Sequence, residues 1–460
     1  MHINIFIILG IAEIVLAVFV GGHALLYKRD PRSSIFWILL ILLVPWLGIL
    51  LYLVFGINRI RRGAPLLTTG TKQLRHSSPD NLANLFLPFR SSREFEALKN
   101  GDEAYPRMLV AIDAATKEIL LSNYIFDFDR VGAQFVDRLK SAVSRGVSVY
   151  VLLDGLGIGY SFPRITGKLK QAGVPYAVFL PTFIPWSTRF LNLRNHRKLL
   201  VVDRAHAFIG GLNIREGHCL ALLPRSPILD IHFSLRGEVI NDFVIQFAQD
   251  WEFASKGATL EWHVEQASDQ SSSSIQNANL QIRSLSDGPD LSIPRFSSLL
   301  LIRIAEAKSR LKIVSPYFLL DRVFISALTT AALRGVEIDV IVPAKNNLPW
   351  MRWAMHAQAW QLLEYGVRIW ETQGHFDHSK IFVVDCRHTI VGSSNWDSRS
   401  FRLNFELNIE VDSVAEASKL EAIVSEKQEN ARSLTIEALN KRSLALKLRD
   451  ATARLFLPIL

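Results

Sequence analysis

Two apolar blocks open the chain. Residues 3–27 and 34–55 are almost continuously hydrophobic, and each is long enough to cross a bilayer core as a helix. The second is nearly free of charge, offers Trp37, Trp46 and Tyr52 as interfacial anchors, and contains Pro45, which predicts a bend. Glu13 stands near the middle of the first, where a bare carboxylate is costly, so it is expected to be neutral, paired or turned toward the other helix. No Lys or Arg precedes the first block and a second block follows at once, which predicts a retained two-helix hairpin over 1–62 rather than a cleaved signal peptide. Lys28, Arg29 and Arg32 fill the turn while Arg59, Arg61 and Arg62 follow the second block, so charge favours neither orientation.

Beyond the anchor the pattern shortens. Strand-like runs such as 119–126 and 147–153 alternate with helical stretches such as 131–145, which predicts an α/β sandwich around a central sheet. The pattern also repeats. Ser122-Asn123-Tyr124, Arg145-Gly146-Val147, Gly173-Val174 and His196 recur in order as Ser315-Pro316-Tyr317, Arg334-Gly335-Val336, Gly366-Val367 and His378, at offsets of 182 to 193 residues. Such long offsets mean two related domains, 63–265 and 280–430, rather than a solenoid. Between them, 266–279 with Ser271 to Ser274 is polar and aperiodic, and reads as a solvated linker. In the tail, 431–460, Leu444, Leu446, Leu448, Leu455, Leu457 and Leu460 are interleaved with Lys447, Arg449 and Arg454. This predicts an amphipathic helix, either docked on anionic lipid or packed on the catalytic part.

Composition fits a membrane-associated protein: 49% of residues are hydrophobic, and 52 Lys and Arg stand against 43 Asp and Glu. A basic balance suits lipid phosphates or a nucleic-acid backbone, but no run of alternating basic and aromatic residues suggests base stacking, so no nucleic-acid partner is expected. Cys219 and Cys386 make neither a disulfide framework nor a zinc site, and are expected to be ordinary buried thiols.

The chemistry lies in a constellation that occurs twice: His196-x-Lys198-x4-Asp203-x6-Gly210-Gly211-x-Asn213 and His378-x-Lys380-x4-Asp385-x6-Gly392-Ser393-x-Asn395. Each copy supplies an imidazole, a cation and amide or hydroxyl donors, the groups needed to hold and attack a phosphodiester. Leu199 to Val202 and Ile381 to Val384 are apolar and β-branched, so each His-x-Lys pair is expected to open a buried strand, with His and Lys on one face. The glycine pairs are expected to mark tight turns where backbone approaches phosphate, with Asn213 and Asn395 as amide donors. Gly211 leaves a backbone donor where Ser393 has a hydroxyl. Asp203 and Asp385 complete the pattern, yet their distance from the lysines suggests that they hold structure rather than touch substrate.

These residues resemble the HKD motifs of the phospholipase D superfamily. Val151 to Gly157, Ser315 to Phe318, and Asn395-Trp396-Asp397-Ser398-Arg399-Ser400 followed by Asn404-Phe405-Glu406 resemble its bacterial cardiolipin synthase branch. The resemblance implies duplicated phospholipase D-type α/β/α sandwich domains behind a transmembrane hairpin, in a multi-pass protein of the bacterial inner membrane. It implies transfer of a phosphatidyl group between two phosphatidylglycerol molecules through a phosphohistidine, with no metal and no cofactor. Lys198, Lys380, Asn213, Asn395, Gly211 and Ser393 would then surround the phosphate oxygens, and His196, as the first-half histidine, would be the nucleophile. It also implies an acidic brace for the imidazole on the strand after each glycine pair, Asp230 in the first half and Glu406 in the second. A membrane-bound phospholipase D hydrolase and a nuclease of the same superfamily are the alternatives. A non-enzymatic scaffold would be expected to lose a motif residue, and both copies retain His, Lys and Asn.

Overall fold

The computed structural model describes residues 2–28, 31–56, 85–160, 162–181, 193–257, 280–289 and 293–455. The expected serine linker, Arg29, Arg59, Arg61, Arg62, Leu457 and Leu460 lie outside these residues. The chain divides into two compact units, 1–66 and 67–460.

In the first unit a helix runs over His2–Tyr27, and its Leu9–Tyr27 portion is long and apolar enough to cross a membrane. The second apolar block departs from the single span expected of it. It forms a helix over Pro31–Leu43, a second over Pro45–Leu51 and a π-helical turn over Tyr52–Gly56. Pro45 is the cause: it has no N–H for the preceding turn, and its ring drives Val44 out of the helical region, to φ −139° and ψ 74°. Among the described residues the His2–Tyr27 helix alone therefore meets the length and hydropathy of a membrane span. The pieces pack together through Ala17, Ala24, Ile41, Ile49 and Tyr52. Glu13 is paired, its Oε2 accepting from Trp46 Nε1 at 2.9 Å, and His23 Nδ1 lies 2.8 Å from the Tyr52 hydroxyl.

The second unit is built on one 16-stranded sheet with approximate mirror order about its middle. Arg90–Lys99 and Gln281–Asp287 meet antiparallel at the centre, where Arg90 faces Ile282 and Ser91 faces Gln281. Outward in the first half come Ile231–Gly237, His206–Gly210, Leu199–Val202, Glu118–Asn123, Ser148–Asp154 and Tyr176–Phe179; outward in the second come Asn404–Asp412, His388–Gly392, Ile381–Val384, Arg310–Val314, Glu337–Pro343 and Arg368–Thr372. The expected duplication is thus a shared sheet. One edge gains an extra strand, Ala431–Leu434, antiparallel to Arg368–Thr372, so a strand precedes the helices of the tail.

Alternation along the strands explains the layers. Ile119, Leu121, Val149, Val151, Leu153, Leu200 and Val202 face the helices Asn100–Ala114 and Arg130–Ser144 in one core. Tyr150 points the other way, onto Trp251 of the helix Ile240–Ala254, with ring centroids 5.1 Å apart. In the second half Leu311, Ile313, Ile338, Val340 and Ile369 face the helices Arg295–Glu306, Arg322–Leu333 and Pro349–Leu363. The tail helix Leu444–Leu455 buries Asp450 and Ala453 and leaves Leu444, Leu448 and Leu455 exposed. It is packed on the unit, and its leucines face outward.

Candidate active site

Each motif sits at the end of a hairpin whose geometry the sequence dictates. Asp203 and Arg204, and likewise Asp385 and Cys386, have φ between 50° and 54°, the left-handed pair that a tight β-hairpin requires and that Asp tolerates. Asp203 accepts from the amides of Thr116, Lys117 and Glu118 at 2.8 to 2.9 Å, and Asp385 from those of Lys308, Ser309 and Arg310 at 2.8 to 3.0 Å. These bonds hold both carboxylates below their ordinary range against the opposing effect of partial burial. Both aspartates brace the entry to a neighbouring strand, and the structure does not bring them to the histidines.

His196 and His378 lie just before the long apolar strands rather than inside them. Two-residue strands position them: Arg194–Asn195 pairs in parallel with Asn404 and Phe405, and Phe376–Asp377 with Ile228 and Leu229. His196 N then donates to Phe405 O at 2.8 Å, and His378 N to Leu229 O at 2.7 Å. Each histidine therefore takes its backbone anchor from the opposite half of the duplication.

The carboxylates cross as well, which corrects the brace expected within each half. Glu406 lies 3.0 and 3.1 Å from His196 Nδ1, while Asp230 lies 2.7 Å from His378 Nδ1. The reason is the strand order: Ile231–Gly237 and Asn404–Asp412 flank the central pair, so each carboxylate sits beside the other half's histidine. Both histidine side chains keep 11% exposure and both carboxylates none, so Nδ1–H donates to a desolvated acceptor and Nε2 is left for chemistry. Glu406 is further fixed by Ser393 Oγ at 2.5 Å and Asn404 Nδ2 at 3.0 Å.

Lysines complete the set. Lys198 Nζ donates to His196 O at 2.8 Å, and Lys380 Nζ donates to His378 O and lies 2.9 Å from His378 Nδ1. Burial pulls Lys198 down to about 7 and lowers Lys380. It also lowers His196, where Glu406 opposes the effect, and pushes His378 well down, with Lys380, Lys198 and His196 adding to the shift. These mutual fields join the two motifs in one electrostatic site. Burial lifts Asp230, whereas the histidine and lysine beside Glu406 overcome its burial and keep it low.

The glycine pairs behave differently from the tight turns expected. Gly210 and Gly392 end strands with φ 153° and 152°, and the next amides stay in the sheet: Gly211 N donates to Ile231 O at 3.3 Å and Ser393 N to Leu407 O at 3.1 Å. Gly211 thus offers no spare backbone donor, because its N–H is already bonded. A Cβ on Gly211 would meet the Asp230 carboxyl at 2.3 to 2.6 Å. Asp is one methylene shorter than Glu, and its carboxyl occupies the space that a side chain at 211 would need. Asn213 Oδ1 accepts from Ile125 N at 3.1 Å, which orients the amide with Nδ2 as its remaining donor. Asn395 is 5% exposed, with its own N–H on Ser400 Oγ at 3.1 Å.

Several contributors escaped the motif reading. Tyr124 sets its ring 5.1 Å from that of His196, and Tyr317 lies 6.3 Å from that of His378, both edge-on. Their recurrence in the repeat was the available signal. Asp154 accepts from Asn195 N at 2.9 Å, next to His196, as well as from Leu156 N and Gly157 N. Arg197, between the motif His and Lys, is 3% exposed; it binds both Asp250 oxygens at 2.5 and 2.6 Å and reaches Ser286 Oγ and Glu406 O. It locks the first motif to the second half. Burial pushes the Cys219 thiol up to about 12, which leaves it unreactive.

Comparison with known proteins agrees with this geometry. The family described as cardiolipin synthase, PLD-like domain, matches residues 108–222 and 300–427, and the phospholipase D-nuclease N-terminal family matches 6–56. A cardiolipin synthase of Alkalihalophilus pseudofirmus is 31% identical over 96% of this chain and 92% of its own. The major cardiolipin synthase of Bacillus subtilis is 29% identical over 100% and 98%. The crystal structure of phosphatidylserine synthase from Haemophilus influenzae shares the fold, with a TM-score of 0.64 at 16% identity over 82% of this chain and 98% of that one. With two histidine–lysine motifs on one sheet and full-length relatives of this kind, the chain belongs to the cardiolipin synthase family of the phospholipase D superfamily.

Proposed function

We propose that this protein makes cardiolipin and glycerol from two molecules of phosphatidylglycerol. The observation that carries the reading is the exchanged pair of carboxylate–histidine contacts, which tie two imidazoles and two buried lysines into one site. His196 Nε2 attacks phosphorus, and the bond from phosphorus to the departing glycerol oxygen breaks as His378 delivers its proton to that oxygen. His378, now neutral, takes the proton from a primary hydroxyl of the second phosphatidylglycerol. That oxygen attacks phosphorus and the phosphorus–nitrogen bond to His196 breaks. The low-lying Glu406 carboxylate beside His196 supports this assignment, since an ionised partner offsets the positive charge of a phosphorylated imidazole. Lys198, Lys380, Asn213 and Asn395 neutralise and bond the phosphate oxygens in the five-coordinate transition state.

The protein acts at a membrane, held by its apolar N-terminal unit. Both apolar blocks sit in the bilayer of the bacterial inner membrane as paired spans, the second kinked at Pro45. The Glu13–Trp46 bond and the shared core of Ala24, Ile41 and Tyr52 support the pairing. Phosphatidylglycerol labelled in its phosphate, given to the purified protein, tests the function directly. Label should move to cardiolipin. Label in phosphatidic acid instead would make the protein a hydrolase, and cleavage of added DNA would make it a nuclease.

A further inference from the structure

The strands Ser148–Asp154 and Glu337–Pro343 occupy matching places in the two halves of the sheet, and the segment after each is tied to a catalytic histidine. After the first, Asp154 holds the amides of Leu156 and Gly157 together with that of Asn195, the neighbour of His196. Tyr160 reaches back to Tyr124, with ring centroids 6.2 Å apart, and Tyr124 lies against His196. After the second, Asn346 Nδ2 donates to Pro316 O at 2.9 Å, and Asn347 Oδ1 accepts from the hydroxyl of Tyr317, which lies edge-on to His378.

Both segments then turn large apolar side chains outward. Phe162 is 97% exposed, Tyr160 60% and Trp350 42%. Neither stretch, 155–164 or 344–352, contains Asp or Glu, whereas Arg164, Lys345 and Arg352 lie in them. Exposed aromatic rings with cations and no acids suit the head-group level of an anionic bilayer, where rings bury their faces and cations meet phosphates. A substrate phosphate lies at that same level.

We propose that Tyr160, Phe162 and Trp350 form a two-sided aromatic rim that docks the catalytic unit on an anionic lipid surface, so that a phosphodiester reaches the histidines without leaving the membrane. This rests on the phospholipid substrate proposed above. In a Cys386→Ser background, the full chain spin-labelled at Phe162→Cys is reconstituted in vesicles of phosphatidylglycerol and phosphatidylcholine. The label should become more accessible to oxygen than to an aqueous nickel complex. Phe162→Ser with Trp350→Ser should lower turnover of vesicle-borne phosphatidylglycerol at least tenfold, and leave turnover of short-chain phosphatidylglycerol dispersed as monomers within twofold. A label that stays water-accessible in vesicles overturns the proposal, as does equal loss on both substrates. Protection of the label without lipid would mean a second copy covers the rim and would also overturn it. Lipid insertion of the label in a protein that makes no cardiolipin would support the docking and sink the substrate reading alone.

Discussion

Asp230 and His378 come from opposite halves of the duplicated fold, 148 positions apart, and meet at 2.7 Å. Glu406 and His196 repeat the exchange in reverse. Neither half holds a complete histidine–carboxylate pair, so one half expressed alone should lack both activity and the tautomeric order of its imidazole.

The two histidines have separate jobs under the proposed mechanism, and their substitutions should differ in a visible way. His196→Ala and His378→Ala should each lower turnover by about a thousandfold or more. With substrate labelled in phosphate, His378→Ala should retain some acid-labile label on the protein, and His196→Ala none. The opposite pattern would exchange the nucleophile and the acid.

Gly211→Ser copies the second motif into the first and should nonetheless damage the enzyme. The new Cβ meets the Asp230 carboxyl, so Asp230 must move away from His378. We expect a loss in kcat of roughly 10 to 100-fold, the size typical of a lost orienting partner. Ser393→Gly should cost less, since Asn404 still holds Glu406. Gly211→Ser at full activity would show that the Asp230 contact is dispensable.

Asp385→Ala separates structural from catalytic roles within the motif. It leaves three backbone amides without their acceptor, which should lower stability by about 2 kcal/mol. The rate per folded molecule should stay near that of the parent. Denaturant midpoints and active-site titration read the two effects independently.

Arg197→Leu should destabilise by roughly 3 to 5 kcal/mol, because it abandons Asp250 in a buried setting. Replacing both with apolar residues should restore much of that stability. A double-mutant cycle on thermal unfolding measures the coupling.

Acid should unfold the catalytic unit early. Burial holds His218 and His232 at about 3 and His206 at about 4, and lowers His196 and His378 too. Between those values and about 6.5 the unfolded chain binds protons that the folded chain refuses, so stability falls as pH drops below 6.5. His218 and His232 should each cost about 2 kcal/mol between pH 6.5 and 5. Stability unchanged over that interval would show these imidazoles to be protonated in the folded state.

Much of this was legible in the chain. The duplication, both motifs, the bend at Pro45 and the need to pair Glu13 follow from local spacing and from the cost of a bare charge among apolar residues. Glu406 and Asp230 could be named as acids near histidines, but not assigned to partners. Motif spacing carries no information about which strands lie side by side. The second apolar block shows the other limit: hydropathy counts greasy residues, while one missing N–H at Pro45 decides whether they form a single rod.

By itself, then, the sequence determined the chemical inventory: two imidazoles, two ammonium groups, two carboxylates and the apolar strands beside them, because side-chain type and short-range periodicity are local properties. Only the folded sheet decided who braces whom. Joining Arg90–Lys99 to Gln281–Asp287 at the centre places each half's carboxylate strand against the other half's histidine. Contacts between residues some 150 to 210 positions apart are set by strand order, which no local pattern encodes.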